Sequence, residues 1–335
     1  MKMNGNNNKY LIIYHKDDND GVFSAGIMID YLNSTFRDTV TIDTLGADYN
    51  MLSTLYNDNI IDEWKDKYNT VIMTDISFDD VKAMKKLYKA FNDNFIWVDH
   101  HAPIIKESVN IGIDNIVGVR STDRSAILCM YKYLYDQFDE QYREGTINKL
   151  YTILSAYDSF TWDNHGLDKD FCVSVNKAVT VKYNLDLDKA VKFISDFKTY
   201  SYEKQDEVVS ELYDSGKMLY DYDKQNWAQL IKTYGDCSWL VEENGNYRKA
   251  CALFIQGPST SLMFDTCPKD IKNGIVFKHF NDGNWGMSLY NINQDDDFHC
   301  GEFLKQRYKG GGHKGAAGCT LSEKQFKKIL EYCII

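Results

Sequence analysis

Through the first hundred or so residues, short apolar runs alternate with segments whose apolar residues recur at helical spacing. The runs YLIIY (10–14), 39–45, TVIMT (70–74) and NFIWV (94–98) predict strands, and 22–32, 52–64 and 79–91 predict helices. Apolar strands separated by helices imply a mostly parallel sheet covered on both faces, because each crossover lays a helix against the sheet. Ligands of such sheets bind beyond the carboxyl ends of the strands. The residues that follow these four runs are therefore the first place to look for chemistry.

Two further helices are predicted over 123–137 and 146–157, and the charged, weakly patterned stretch 185–225 reads as helical with solvated faces. From residue 237 the pattern changes. Asn244-Gly245 and Asp282-Gly283 stand between strand-like runs and predict hairpins. A helix over 301–308, a glycine-rich segment over 310–318 and a closing helix from 322 follow. The expected fold is α/β, with an N-terminal domain built on the parallel sheet (1–184), a helical linker (185–236) and a smaller C-terminal α/β domain (237–335).

A chain of 335 residues with 44% hydrophobic content and 3 prolines has enough apolar surface for a real core, which excludes a disulfide-dependent scaffold and long disorder. Its 38 basic and 49 acidic side chains leave a formal charge of −11, which argues against a track for long nucleic acid, whose phosphates demand a basic stripe. Acidic chains do bind hard cations, and a bound cation inverts the local field. The eight cysteines are scattered without a CxxC, so the spacing points to neither a zinc knuckle nor a redox dithiol and suits reduced thiols. No apolar run is long enough to span a membrane, and the start MKMNGNNNKY is too polar for a signal peptide. A cytoplasmic location is the expectation.

The polar residues gather where the sheet argument places them. YLIIY is followed by His15-Lys16-Asp17-Asp18-Asn19-Asp20-Gly21, TVIMT by Asp75, and NFIWV by Asp99-His100-His101. A single aspartate among 49 acidic side chains says little, since most cap helices or turn loops. An adjacent histidine pair behind an acid at a strand end is far more specific in a chain with 7 histidines. If the segment is extended, residues i and i+2 project to one side, so Asp18 and Asp20 aim together while Asn19 looks away. Converging carboxylates repel one another unless a cation lies between them. Carboxylates with imidazoles and no thiolate suit Mn²⁺ or Mg²⁺ better than a structural zinc.

HKDDNDG, the aspartate of TVIMTD, the DHH triplet and Asp158 in LSAYDSF resemble, in order, the four motifs of the DHH phosphoesterase superfamily. GGGHKGAAG, from Gly310 to Gly318, is similar to the signature of the C-terminal domain that accompanies DHH domains in nanoRNases, RecJ-type exonucleases and cyclic-dinucleotide phosphodiesterases. The resemblance runs from about residue 10 to 320. It implies two divalent ions, Mn²⁺ first with Mg²⁺ or Co²⁺ as substitutes. His15, Asp18 and Asp75 would hold one, and Asp20, Asp75, His100 and Asp158 the other, with Asp75 bridging. Asp99 would orient an imidazole, and His101 would face the scissile phosphate or the attacking water. Gly310, Gly311, Gly312 and His313 would bind substrate. Asp17 and Asp163 neighbour Asp18 and Asp158 and are the alternative ligands. Where many relatives carry an arginine before the glycine run, this chain reads Met287-Ser288-Leu289-Tyr290, and Arg120, Arg124 and Arg307 are the candidates to replace it.

The activity this implies is two-metal hydrolysis of short oligonucleotides (nanoRNA) to mononucleotides, with paired ions roughly 3.5 to 4 Å apart activating water and clamping oxygens. Cyclic dinucleotides and nucleotide bisphosphates are the alternative substrates of the same chemistry. A non-catalytic nucleotide-binding protein is the rival from another class. Expected partners are a short oligonucleotide or nucleotide, with no long duplex and no membrane; the composition sets no oligomeric state.

Overall fold

The parallel sheet is the frame on which the polar strand ends are mounted. In the computed structural model, which describes residues 8–55, 58–78, 80–137, 149–292, 297–312 and 314–335, the chain divides into two compact units, Met1–Tyr220 and Asp221–Ile335. The first unit opens with β1 (Asn8–His15), α1 (Asn19–Phe36), β2 (Val40–Ala47), α2 (Tyr49–Leu55), α3 (Asp58–Lys67), β3 (Thr70–Thr74), α4 (Val81–Phe91), β4 (Phe95–Val98) and α5 (Ala102–Asn110). The strands are all parallel in the order β2-β1-β3-β4. The connections reverse direction between β1 and β3, and that switch point opens a crevice at the carboxyl ends.

Side chains alternate across the sheet as the strand period demands. Tyr10, Ile12, Ile72, Ile96 and Val98 face one apolar cluster, and Leu11, Ile13, Val71, Met73, Phe95 and Trp97 face another. The second cluster is closed by α2 to α5. The first is closed by α1 with α6 (Ala126–Gln137), α7 (Lys149–Asp158), α8 (Lys169–Tyr183), α9 (Leu187–Phe197) and the start of α10 (Tyr202–Tyr234). The α/β architecture expected from the sequence is the one observed.

Some elements depart from expectation. The helix expected over 52–64 is two helices, α2 and α3, and α5 and α8 have no counterpart in the sequence pattern. Segment α8, KDFCVSVNKAVTVKY, is rich in β-branched residues of weak helix propensity, yet Cys172, Val175, Ala178 and Val179 are buried in the core. Tertiary burial has overridden propensity there. The stretch expected as a linker is helical: Ala190, Phe193 and Ile194 of α9 and Val208 and Leu212 of α10 join the first unit's core, while Trp227, Leu230 and Ile231 of α10 pack in the second unit.

The second unit is a six-stranded mixed sheet, β5 (Asp236–Glu243), β6 (Asn246–Phe254), β7 (Asn273–His279), β8 (Trp285–Asn291), β9 (Gly311–Gly312) and β10 (Ala316–Leu321), ordered β5-β6-β7-β8-β10-β9. Only β6 and β7 pair in parallel. Asn244 and Gly245, both at positive φ (53° and 81°), make the β5–β6 turn that their dipeptide predicts. Helices α11 (Cys300–Tyr308) and α12 (Glu323–Tyr332) cover one face, the latter begun by a capping box between Ser322 and Gln325. Among the described residues no helix is long and apolar enough to cross a membrane.

Candidate metal centre

Each candidate ligand of the first unit is set by the end of an element. His15 closes β1, and Asp18 caps α1 by accepting the Gly21 N–H at 2.9 Å. Gly21 admits no side chain, because a Cβ there would lie 2.1 Å from the His15 carbonyl oxygen where helix and strand end meet. Asp75 follows β3 at φ 58°, a left-handed conformation that aspartate tolerates better than most residues, and donates its backbone N–H to the Val98 carbonyl at 3.0 Å. Asp99, His100 and His101 follow β4, and Asp158 is the last residue of α7.

The expected geometry of HKDDNDG needs a correction. Asn19 and Asp20 are not extended but form the first turn of α1, because Asp18 already caps the helix. Asp20 therefore diverges from Asp18, and both its oxygens accept backbone N–H groups at the start of α6, from Ala126 at 2.6 Å and Ile127 at 2.9 Å. Those donors are unpaired within their own helix and favour a negative charge. Asn19 does not look away to solvent: it is buried and donates to Asn176 Oδ1 and Thr180 Oγ1, each at 2.8 Å.

Three carboxylates meet at one imidazole nitrogen. His100 Nε2 lies 3.2 Å from Asp75 Oδ1, 3.3 Å from Asp158 Oδ2 and 3.7 Å from Asp20 Oδ2. One ring nitrogen has a single proton or lone pair to offer, so it cannot satisfy three acceptors. Asp75 Oδ1 and Asp158 Oδ2 are indeed buried without a hydrogen-bond partner. Burial, then the neighbouring carboxylates with Asp20 foremost, pushes the Asp75 and Asp158 carboxyls well above their ordinary range. Burial and Asp18 push Asp20 up as well, against the pull of His100. Burial works to lower the pKa of His100, but the surrounding carboxylates, led by Asp158, raise it. A cluster that holds protons for want of positive charge is one a divalent cation fits, by replacing them.

Ligand atoms fall into two tight groups, Asp20–His100–Asp158 and Asp75–His100–His101, each with all members within 4.8 Å of one another. His15 and Asp18 lie outside both and form a pair of their own, Nε2 to Oδ2 at 3.5 Å. The structure thus adds His101 to the residues positioned to hold an ion. It brings Asp158 into the cluster and leaves Asp163 exposed in the 3-10 turn Trp162–His165, while Asp17 lines a neighbouring cavity.

Asp99 has no access to solvent and acts through its neighbours. Its Oδ1 takes the His101 Nδ1 at 2.7 Å and the backbone N–H groups of His100 and His101, and its Oδ2 accepts the Trp97 indole N–H at 2.9 Å. Burial opposes its charge, but His101 holds the carboxyl down at about 2. Arg120 is not a phosphate clamp: it donates to the carbonyls of Trp97, Asp114 and Ile116 and stiffens the strand that carries Asp99. Arg307, in the second unit, is paired with Glu242 at 2.8 Å.

Some neighbours of the cluster carry no sequence signal. The Tyr49 ring stands near both His15 and His101, at 5.7 and 5.9 Å between centroids. A cavity of about 190 Å³ beside the cluster is lined by Asp17, Asp18, Asn19, Asp20, Tyr157 and Asp158, with Asn176 and Thr180 supplying further polar groups. No motif hints at Asn176 or Thr180, which α8 carries.

In the second unit the glycine run forms two strand segments. Gly310 spends its N–H on the Leu304 carbonyl at 3.1 Å, closing α11. Gly312 sits at φ 140°, where a Cβ would fall 2.6 Å from the Ala316 carbonyl oxygen, so packing against β10 already requires that glycine. Gly311 has open space where a Cβ would be. His313 lies outside the described residues.

No protein-family model matches the chain, and no curated protein matches it by sequence. Among solved structures it is similar to an uncharacterized protein from Helicobacter pylori G27, with 16% identity, 97% of each chain covered and a TM-score of 0.41. It is also similar to PggH, a pGpG-specific phosphodiesterase from Vibrio cholerae, with 13% identity over 97% of this chain and 96% of that one and a TM-score of 0.47. Against RecJ from Thermus thermophilus in complex with Mn²⁺, identity is 11% and the TM-score 0.48, with 97% of this chain covering 51% of that one. The chain spans about half the length of that RecJ.

Proposed function

We propose that this chain is a phosphodiesterase that uses two divalent ions, Mn²⁺ first and Mg²⁺ or Co²⁺ in its place, to hydrolyse short oligonucleotides to mononucleotides. The observation that carries the proposal is the convergence of Asp20, Asp75 and Asp158 on one imidazole nitrogen, with Asp75 Oδ1 and Asp158 Oδ2 buried and without a hydrogen bond. The motif resemblance to DHH phosphoesterases supplies the reaction class. In this assignment His15, Asp18 and Asp75 hold one ion, and Asp20, Asp75, His100 and Asp158 the other.

When bound, such ions supply Lewis acidity to the phosphoryl oxygens and lower the pKa of water. The chain's own side chains do the rest. The α6 N–H groups hold Asp20 in place, and the strand-end turn fixes Asp75, so the carboxylates are set before any substrate arrives. Asp99 grips His101 through Nδ1, which leaves the other ring nitrogen to hold or deliver a proton at the phosphoryl group or the attacking water. Amide and hydroxyl groups of Asn19, Asn176, Thr180 and Tyr157 line a space below the ~300 Å³ at which drug-sized ligand pockets begin, which suits part of one nucleotide and no duplex. Gly310, Gly311, Gly312 and His313, which belong to the second unit, are proposed to bind substrate.

The test is release of mononucleotide from a 5′-phosphorylated dinucleotide by metal-stripped protein given Mn²⁺, run beside a cyclic dinucleotide and a nucleotide bisphosphate. Turnover of the linear dinucleotide that Asp75→Ala abolishes is the expected result. Turnover confined to another substrate of the panel would move the assignment there, and tight nucleotide binding with no turnover in Mn²⁺, Mg²⁺ or Co²⁺ would replace the enzyme with a sensor.

A further inference from the structure

The second unit gathers a different set of ligand atoms, all sulfur. In the β5–β6 pairing, Asp236 stands opposite Ala252 and Trp239 opposite Ala250, so Cys237 and Ser238 together face the single residue Cys251. This bulge turns Cys237 toward the sheet face on which Cys251 is buried with Leu253, Val276 and Tyr290. Cys267 reaches the same place from the connection between β6 and β7, where its N–H closes a turn on the Phe264 carbonyl at 3.0 Å. The three sulfurs lie within 4.8 Å of one another, and none is in a disulfide.

We propose that Cys237, Cys251 and Cys267 bind one thiophilic cation of the Zn²⁺ class through three thiolates. Tetrahedral Zn–S bonds of about 2.3 Å place sulfurs about 3.8 Å apart, and these three lie within 4.8 Å of one another, so a shift of side chains alone closes them on one ion. Three thiols cannot all be satisfied by disulfide pairing, whereas three thiolates supply three of the four ligands of a tetrahedral thiophilic ion and leave the fourth position to solvent. Cys237 reaches solvent and gives the ion its entry. Each thiol releases its proton to solvent as its sulfur takes the ion. The bound ion ties the first strand of the sheet to the second and to the β6–β7 connection. The absence of any CxxC concealed this site: the three residues come from a bulge, a strand interior and a loop.

The full-length protein, reduced and metal-free, is titrated with Co²⁺ and then with Zn²⁺. Of the Co²⁺ ions the chain takes up, one is expected to give a thiolate-to-cobalt charge-transfer absorption that Zn²⁺ bleaches. Cys267→Ser is expected to lose this absorption while keeping its far-ultraviolet circular dichroism; Cys237→Ala, at a solvent-reaching position, serves if Cys267→Ser does not fold. Carboxylates and imidazoles give no sulfur band, so the result is independent of the first unit's activity. Saturation with Co²⁺ without the band overturns the proposal, as does a band that survives in the Cys237→Ala/Cys267→Ser protein. An air-equilibrated chain two hydrogens lighter, with Cys237 and Cys267 peptides cross-linked, would assign the cluster to a redox disulfide instead.

Discussion

The two units each collect ligand atoms in one place, and they do it with opposite chemistry. In the first unit the carboxylates of Asp20, Asp75 and Asp158 crowd to between 3.2 and 3.7 Å from His100, and burial strains the charges because one imidazole cannot neutralise three carboxylates. In the second unit three sulfurs meet at the edge of an apolar cluster that holds Cys251 and Cys267, where a neutral thiol is an ordinary small hydrophobe, while Cys237 reaches solvent. A carboxylate cluster therefore costs stability until protons or cations enter it, whereas a thiol cluster, neutral with its protons in place, is comfortable without a cation. Hard and soft sites built this way should respond differently to substitution, metal and pH.

The largest separation is expected from Asp75→Asn. Mn²⁺-dependent hydrolysis should fall by about a thousandfold, equivalent to about 4 kcal/mol of barrier. The cobalt–sulfur absorption of the second unit should be unchanged, and its loss would break the division into independent sites. Steady-state assay and absorption titration on one preparation decide it.

Next is Asp99→Asn, which keeps the shape but removes the charge that grips His101 Nδ1. Loss of about 10–100-fold in activity or metal affinity is expected for a partner of this kind, carried by kcat or by Mn²⁺ affinity and not by substrate KM. An unaltered kcat and Mn²⁺ affinity would remove Asp99 from the machinery.

Gly21→Ala sets a backbone contact against the cluster. Its Cβ would collide with the His15 carbonyl, so a loss of about 1–3 kcal/mol and a lower Tm by circular dichroism are expected. Adding Mn²⁺ should recover only part of it, since the clash lies in the backbone and not in the charge.

The smallest effect expected is a pH slope in the metal-free protein. A carboxyl whose native pKa lies above its unfolded value near 3.9 binds more protons folded than unfolded. The stability of Asp75 and Asp158 is therefore greatest below that value and is lost as pH rises through their raised native pKa; His100, raised by its carboxylate neighbours, acts in the same direction. The Tm should climb by a few degrees between pH 7 and 5, flatten in Asp75→Asn and flatten again with saturating Mn²⁺. A slope of opposite sign would mean that the carboxylates are not strained.

Much of the first unit was legible in the sequence because its information is local. The runs at 10–14, 70–74 and 94–98 are strands, and each delivers its polar residues within a few positions of its end. Legibility failed where neighbours distant in sequence decide the outcome. Asp20 was expected to aim with Asp18, and its carboxylate instead accepts the N–H groups of Ala126 and Ile127, about a hundred residues away. Arg120 is a candidate from sequence to replace the relatives' arginine, and its guanidinium is committed to the backbone carbonyls of Trp97, Asp114 and Ile116. Helix α8 was hidden by β-branched residues that only core burial makes helical.

By itself, the sequence determined the α/β layering and which side chains would stand at the carboxyl edge of the sheet. Both follow from periodicity and from how little chain separates a strand end from the residues after it. Tertiary structure alone decided that Asp158, Asp75 and Asp20 converge on one nitrogen of His100, that Asp75 Oδ1 and Asp158 Oδ2 are left without a hydrogen bond, and that Cys237, Cys251 and Cys267 form one cluster. Those outcomes depend on burial and on contacts between segments far apart in the chain, and no local pattern records the distance between two side chains that meet only when the core closes.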